Sequence, residues 1–147
     1  MRYSGRAVEL LLVEDNPADA RLTQQALAQG TVVSHITVAP DGVEAMQFLR
    51  RETPRFARAP RPDLILLDLG LPRMSGREVL EEIKSDADLR RIPVMVLSGS
   101  QAADDLQCVY NLHANCYVRK PACMAQFVEV VRSIEQFWFG IVTLPAR

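Results

Sequence analysis

The chain has 147 residues, of which 48% are hydrophobic, and a formal net charge of -1. A chain of this length buries roughly 70% of its unfolded surface, which is enough for one sizeable core and disfavours a second domain. The 17 basic and 18 acidic residues are interspersed, so no long basic run is available to bind nucleic acid or an anionic membrane. The N-terminal segment MRYSGRAVEL also lacks the apolar stretch of a secretory signal, and we expect a cytoplasmic protein.

Five apolar, strand-like runs alternate along the chain with five helix-like segments. The helices are predicted from capping residues and from apolar side chains that recur every three or four positions. The strands are continuously apolar, which indicates an α/β fold with a parallel sheet covered by helices on both faces. The first predicted elements are a strand at 8–13, a helix from Asn16-Pro17 to Gly30, a strand at 32–38 and a helix capped by Asp41. A polar loop at about 51–62 follows, and then a strand at 64–67 and a helix with Ser75 and Glu78 as a capping box. The last predicted elements are a strand at 94–97, a helix at about 101–112, a strand at 115–118 and a helix that includes Phe127, Val131 and Trp138.

Charged and hydroxyl-bearing residues stand at the carboxyl ends of four of these apolar runs. Glu14 and Asp15 end the first run, and Asp68 ends the third. Ser98 ends the fourth run, and Lys120 follows the fifth. Neighbouring parallel strands bring their carboxyl ends to one edge of the sheet, where open α/β folds bind their ligands. The sequence therefore predicts a phosphoryl-acceptor site at this edge.

The charges of this cluster favour a bound divalent cation. Three carboxylates about 4 Å apart would repel one another by about 4 kcal/mol per pair at an effective dielectric near 20. A divalent cation removes that conflict, and oxygen-only ligands suit Mg²⁺. An aspartate that accepts a phosphoryl group also needs a cation to offset the transferred charge, and the ammonium of Lys120 can supply it.

These residues, in this order, carry a family resemblance. The acidic pair Glu14-Asp15, the segment DLGLPRMSG, and then Ser98, Tyr117 and Lys120-Pro121 resemble the receiver domain of two-component response regulators over residues 7 to about 139. The resemblance implies a flavodoxin-like, doubly wound (βα)5 fold with a five-stranded parallel sheet in the order 2-1-3-4-5. It also implies a single receiver domain over residues 1–147, in which residues 139–147 are a C-terminal extension.

The resemblance assigns the acidic residues their roles. Asp68 would be the phosphoacceptor. Asp15 and Asp68 would bind Mg²⁺ with side-chain oxygens, Gly70 with its backbone carbonyl, and Glu14 mainly through water. Lys120 would pair with Asp68 at rest and with a phosphoryl oxygen after transfer.

The resemblance also implies a conformational switch. Ser98 would contact the phosphoryl group and be drawn inward, and the side chain of Tyr117 would move toward the vacated space. The bond between Lys120 and Pro121 would be cis, whereas only about 5–6% of X-Pro bonds in folded proteins are cis.

The output and the partner are predicted from the rest of the chain. No room is left for an effector domain, so we expect a stand-alone receiver that signals through a protein surface. The acidic pair, the insertion RRETPRFARAPRP and the terminal segment FWFGIVTLP resemble the small response regulators of phytochrome-type sensor histidine kinases.

The apolar tail predicts a second kind of partner, another copy of the chain. It carries more apolar surface than one face of the last helix can bury, which favours a homodimer. The alternative is that the tail folds back over its own domain. The predicted dimer interface consists of Phe137, Trp138, Phe139, Ile141 and Leu144.

Two other functional classes compete with the phosphoacceptor. One is a binding scaffold that kept the receiver fold and lost the switch, and the complete set of Asp15, Asp68, Ser98 and Lys120 argues against it. The other is a turnover enzyme such as a Mg-dependent phosphatase, but the chain has neither a GxGxxG turn nor a P-loop. We therefore expect a phosphoacceptor that assists its own phosphorylation and dephosphorylation, not an enzyme.

Overall fold

The computed structural model describes residues 7–29, 34–99, 103–121, 123–141 and 143–145. Strands and helices alternate along these residues, as the apolar pattern predicts. Within the described ranges, no helix is both long enough and apolar enough to cross a membrane. The strands are β1 (Val8–Val13), β2 (Ser34–Ala39), β3 (Leu64–Leu67), β4 (Val94–Ser98) and β5 (Cys116–Arg119), and the helices are α1 (Pro17–Ala28), α2 (Gly42–Arg50), α3 (Gly76–Ser85), α4 (Ala103–Asn111) and α5 (Met124–Gln136).

The sheet has the predicted order, β2-β1-β3-β4-β5, and all its neighbouring strands are parallel. Val13, at the end of β1, lies opposite Ala39 on β2 and Leu67 on β3. On the other side of the sheet, Ser98 at the end of β4 lies opposite Arg119 at the end of β5. The carboxyl ends of the strands are therefore aligned, and the residues that follow them emerge at one edge.

Side-chain caps fix the starts of the first three helices at the predicted residues. The Asn16 side chain accepts hydrogen bonds from two backbone amides in the first turn of α1. Asp41 accepts from the amide of Glu44 at the start of α2. Ser75 and Glu78 form the reciprocal capping box of α3. Because each cap satisfies amides that the helix leaves unpaired, it also fixes the short loop that leads from the sheet edge into the helix.

The boundaries differ from prediction in a few places. The second strand begins at Ser34 and ends at Ala39, and predicted positions 32 and 33 lie outside the described residues. Gly30, the predicted end of the first helix, is also outside them. The polar loop before β3 contains one 3-10 turn, Pro54–Phe56, which presses the Phe56 ring against Phe48 with 5.5 Å between ring centroids. This loop is mostly polar in composition, but its aromatic residue Phe56 is buried in the core.

The aromatic tail covers its own domain. After α5 the chain continues as a π-helical turn, Phe137–Ile141. The side chains of Trp138 and Phe139 pack in the part of the core that lies between the sheet and helices α1 and α5. Their exposed fractions are only 7% and 2%, whereas Phe137 is 50% exposed. Leu144 packs partly against the same core.

The prediction that Trp138 and Phe139 form a dimer interface is therefore wrong, because their apolar surface is already used inside the chain. The alternative prediction, that the tail folds back over its own domain, is correct for these two residues. The side chain of Ile141 lies outside the part of the chain that the structure describes. Among the members of the predicted interface whose side chains the structure describes, Phe137 keeps the largest exposed fraction, 50%.

Candidate functional site

The charged residues that follow the strands are positioned by backbone hydrogen bonds, which continue the pairing of the sheet by one residue beyond the strand ends. The amide of Glu14 donates to Ala39 O at 3.0 Å, and the amide of Asp68 donates to Val13 O at 3.0 Å. At the other side of the edge, the amide of Lys120 donates to Ser98 O at 2.8 Å. The strand ends thus hold the backbone of both acids and of the lysine in fixed relative positions.

Three carboxylates meet at this edge, as the sequence predicts. One side-chain oxygen from each of Glu14, Asp15 and Asp68 lies within 4.8 Å of the other two. Glu14 is buried, Asp68 is half-buried and Asp15 is exposed, so the cluster opens toward solvent on one side. Oxygen ligands at this spacing suit a hard divalent cation that keeps part of its water shell.

Lys120 contacts more of the cluster than predicted. Its Nζ atom lies 3.5 Å from Asp68 Oδ2, but it is closer to Glu14 Oε1, at 2.5 Å, and to Asp19 Oδ2, at 3.1 Å. The sequence reasoning missed Asp19 because it considered strand ends, and this residue lies in the first turn of α1. The signal for Asp19 in the sequence is its position, because it follows the acidic pair by one helical turn on a helix that starts at the same edge of the sheet.

Burial and charge act in opposite directions on this pair. Burial raises the pKa of Glu14 to about 7, although the hydrogen bond and charge of Lys120 lower it. For Lys120, burial lowers the pKa, but the hydrogen bond to Glu14 and the charges of Asp68 and Glu14 outweigh that effect and raise it. Lys120 therefore keeps its positive charge, and the charge of Glu14 changes near neutral pH.

An open cavity of about 470 Å³ lies next to Asp68 and offers space for a phosphoryl group. Ser98 is buried in the cavity wall at the end of β4, where the sequence predicts a phosphoryl-binding hydroxyl. A Cβ atom at Gly70 would meet nothing within 4 Å, so this position borders open space at the cavity. The described lining residues are Asp68, Leu69, Gly70, Ser75, Arg77, Ser98, Gly99 and Asp105.

Gly76 is a positioning residue that the sequence reasoning did not single out. A Cβ atom at this position would lie 2.2 Å from Asp68 O and 2.6 Å from Leu69 Cα. The Gly76 amide instead donates to Leu69 O at 3.1 Å, which ties the start of α3 to the loop that carries Asp68. Only a residue without a side chain allows this approach.

The family resemblance predicts a switch role for Tyr117 and a cis bond before Pro121. Tyr117 is half-buried against the core below α3 and α4, and its amide donates to the Tyr110 hydroxyl at 3.2 Å. No peptide bond between described residues is cis, so the bond before Pro121 is trans and that prediction is wrong. Trans is the form favoured by about 0.5–1 kcal/mol, and Lys120 reaches the carboxylates without the cis bond.

Comparison with known proteins identifies the family. The family of response regulator receiver domains matches this chain over residues 10–132. Response regulator Rcp1 of Synechocystis sp. is 47% identical over 137 residues, which cover 93% of this chain and 92% of the relative. The crystal structure of the phosphorylated cyanobacterial phytochrome response regulator RcpA superposes with a TM-score of 0.93 at 52% identity, covering 96% of this chain and 100% of that one. The Mn²⁺-bound form of Rcp1 gives a TM-score of 0.90 at 47% identity, covering 95% and 99%. The chain therefore belongs to the response regulator receiver domain family.

Proposed function

We propose that this protein is a single-domain response regulator that accepts a phosphoryl group on Asp68 from a sensor histidine kinase in a Mg²⁺-dependent reaction. The observation that carries the proposal is the meeting of Glu14, Asp15 and Asp68 within 4.8 Å at the sheet edge, with Lys120 against them. A scaffold without phosphoryl chemistry would have no need for three clustered carboxylates, since their mutual repulsion costs stability.

The reaction is an in-line transfer. A carboxylate oxygen of Asp68 attacks the phosphorus of the kinase phosphohistidine, and an O–P bond forms while the N–P bond breaks. The imidazole leaves with the electron pair of the broken bond and takes a proton from solvent. The ammonium of Lys120 offsets the negative charge brought by the phosphoryl group, and the Ser98 hydroxyl donates a hydrogen bond to one of its oxygens.

The residues present fit a magnesium ion, because all the available donors are oxygens. Asp15 and Asp68 would hold the ion with side-chain oxygens, Gly70 with its carbonyl, and Glu14 mainly through water. A divalent cation held by these residues would offset the negative charge of the acidic cluster and of the phosphoryl oxygens. The related protein Rcp1 has a Mn²⁺-bound form, which supports a divalent cation in this fold.

The partner we propose is a phytochrome-type histidine kinase of the same organism, in the cytoplasm. The support is the 52% identity to RcpA, which is a cyanobacterial phytochrome response regulator, over its full length. The test is phosphotransfer from autophosphorylated phytochrome-type and unrelated sensor kinases under matched conditions. Faster transfer from an unrelated kinase would contradict this pairing.

We propose a change of protein-interaction surface around α4 and β5 as the output. Movement of Ser98 toward the phosphoryl group would let the Tyr117 ring move inward, which changes the face that Tyr117 and Tyr110 share. Structures with and without beryllofluoride test the switch. An unchanged Tyr117 rotamer would contradict it.

We also propose that a second copy of the chain binds along α5. An open, mainly apolar groove of about 600 Å³ runs between β5 and α5 and ends at the exposed Phe137. Light scattering over a range of concentrations tests this, with Phe137→Ser as the variant that should shift the mass to monomer. A monomer mass at every concentration in the unaltered chain would contradict the homodimer.

The central experiment on the function is incubation with Mg²⁺ and acetyl phosphate, followed by intact mass measurement. We expect a gain of one phosphoryl group in the unaltered protein and none in Asp68→Asn. No gain in either would favour the scaffold, and continuous phosphate release from many phosphate esters would favour a phosphatase.

A further inference from the structure

Arg77 and Asp105 form an ion pair across the mouth of the cavity beside Asp68. Arg77 is the second residue of α3, and its Nη2 atom binds Oδ1 of Asp105 in the first turn of α4. Both side chains line the cavity that also contains Asp68 and Ser98. The ion pair therefore links two helices at the place where a phosphoryl group on Asp68 would lie.

Arg77 is well suited to bind a phosphoryl group. Of the described residues that line the cavity, it alone carries a positive charge. Lys120 approaches Asp68 among Glu14 and Asp19, which also attract its ammonium. The guanidinium of Arg77 is half exposed and can turn, and its planar donors fit phosphate oxygens as well as they fit a carboxylate.

We propose that Arg77 exchanges Asp105 for the phosphoryl group on Asp68, so that phosphorylation releases the ion pair between α3 and α4. This inference rests on the proposed phosphorylation of Asp68. The phosphoryl group carries about -1.5 to -2 charges, more than the single charge of Asp105, and therefore competes successfully for the guanidinium. Asp105 is then a carboxylate close to a second anion, and their repulsion favours movement of α4 away from the cavity.

The exchange and a merely structural ion pair make opposite predictions for two single substitutions. Arg77→Gln and Asp105→Asn remove the same ion pair, so a structural role would make them alike. In the exchange, Arg77→Gln removes a ligand of the phosphoryl group, whereas Asp105→Asn removes the competitor for that ligand. The two variants should therefore change phosphoryl affinity in opposite directions.

The test uses beryllofluoride as the phosphoryl mimic, titrated calorimetrically into the full chain in saturating Mg²⁺. We expect Arg77→Gln to weaken the apparent affinity about 3- to 10-fold and Asp105→Asn to strengthen it by a similar factor. The double variant should behave like Arg77→Gln, and Arg77→Lys should retain part of the affinity. Arg73→Gln is the matched control, since Arg73 pairs with Asp41 and does not line the cavity.

Two results would overturn the exchange. One is a change of the same sign in Arg77→Gln and Asp105→Asn, and the other is an affinity in both that equals that of the unaltered chain. Failure of the proposed function looks different, because beryllofluoride would then bind neither to the unaltered chain nor to Asp68→Asn. That result would overturn both proposals together.

Discussion

Lys120 makes a closer ion pair with Glu14 than with Asp68. Its Nζ atom lies 2.5 Å from the Glu14 carboxylate and 3.5 Å from that of Asp68. The ammonium therefore already offsets part of the negative charge that would attract a divalent cation. It stands close enough to Asp68 to reach a phosphoryl group without a large movement of the backbone.

Removal of the Lys120 charge should strengthen metal binding and weaken phosphoryl binding. In Lys120→Met, we expect Mg²⁺ affinity at pH 8.5 to rise about tenfold, because the ion no longer competes with an ammonium for the same carboxylates. Beryllofluoride affinity should fall, because the group that offsets its charge is lost. Calorimetric titration of both ligands gives the two affinities.

The matched control is Lys84→Met. Lys84 is also a partly buried lysine, but it donates to Arg90 O and Ile92 O at the amino end of β4, away from the acidic cluster. It should leave both affinities unchanged. A fall in Mg²⁺ affinity in Lys120→Met alone would mean that the ammonium assists the ion instead of competing with it.

Glu14 should give the metal-free protein a characteristic pH dependence. Its pKa in the folded protein is about 7, above the ordinary value of 4.5, so the folded state binds this proton more tightly than the unfolded state does. The stabilisation is complete below pH 4.5 and is lost as the pH rises through about 7. Between pH 5 and pH 8 the unaltered chain should lose up to about 3 kcal/mol relative to Glu14→Gln. Urea unfolding of both proteins in a chelator at the two pH values measures this difference, and a pH-independent difference would contradict the raised pKa.

Metal binding should stabilise the fold through Asp15. Mg²⁺ at about 100 times its dissociation constant adds about 2.7 kcal/mol to the free energy of unfolding, which raises the melting temperature by several degrees in a domain of this size. A chelator should reverse the shift, and Asp15→Asn should abolish most of it. Asp88→Asn is a matched control because this exposed acid lies among arginines away from the cluster. Equal stabilisation of all three proteins would exclude Asp15 as a ligand.

Two neighbouring phenylalanines in the tail should differ sharply in their contribution to stability. Phe139 is 2% exposed and Phe137 is 50% exposed. We expect Phe139→Ala to cost about 3–5 kcal/mol of unfolding free energy, because it leaves a cavity in the core. Phe137→Ala should cost less than about 1 kcal/mol in the monomer. Similar losses in both variants would show that the tail does not pack as described.

The strands and most of the site could be predicted from local sequence patterns, whereas the order of the strands was predicted from the family resemblance. Apolar runs predict the strands, and Glu14, Asp15 and Asp68 meet because parallel strands end at one edge. The caps at Asn16 and Ser75 depend on neighbours within three residues. Such features need little knowledge of the tertiary structure.

The remaining features depend on packing between distant segments. Asp19 enters the site because the side chain of Lys120, which follows β5, reaches the first turn of α1, and Arg77 meets Asp105 because α3 and α4 are neighbours. The burial of Trp138 depends on the direction in which the chain leaves α5, and the apolar composition of the tail does not specify that direction. The family pattern alone also gave the wrong isomer for the bond before Pro121.

The most direct measurement locates the phosphoryl group on the chain. After incubation with an autophosphorylated histidine kinase and Mg²⁺, borohydride reduction converts an aspartyl phosphate to homoserine, and peptide mapping by mass spectrometry finds the altered residue. We predict homoserine at position 68, dependent on Mg²⁺ and absent in Asp68→Asn. Modification at another residue, or none with any kinase that phosphorylates a control receiver, would contradict the account.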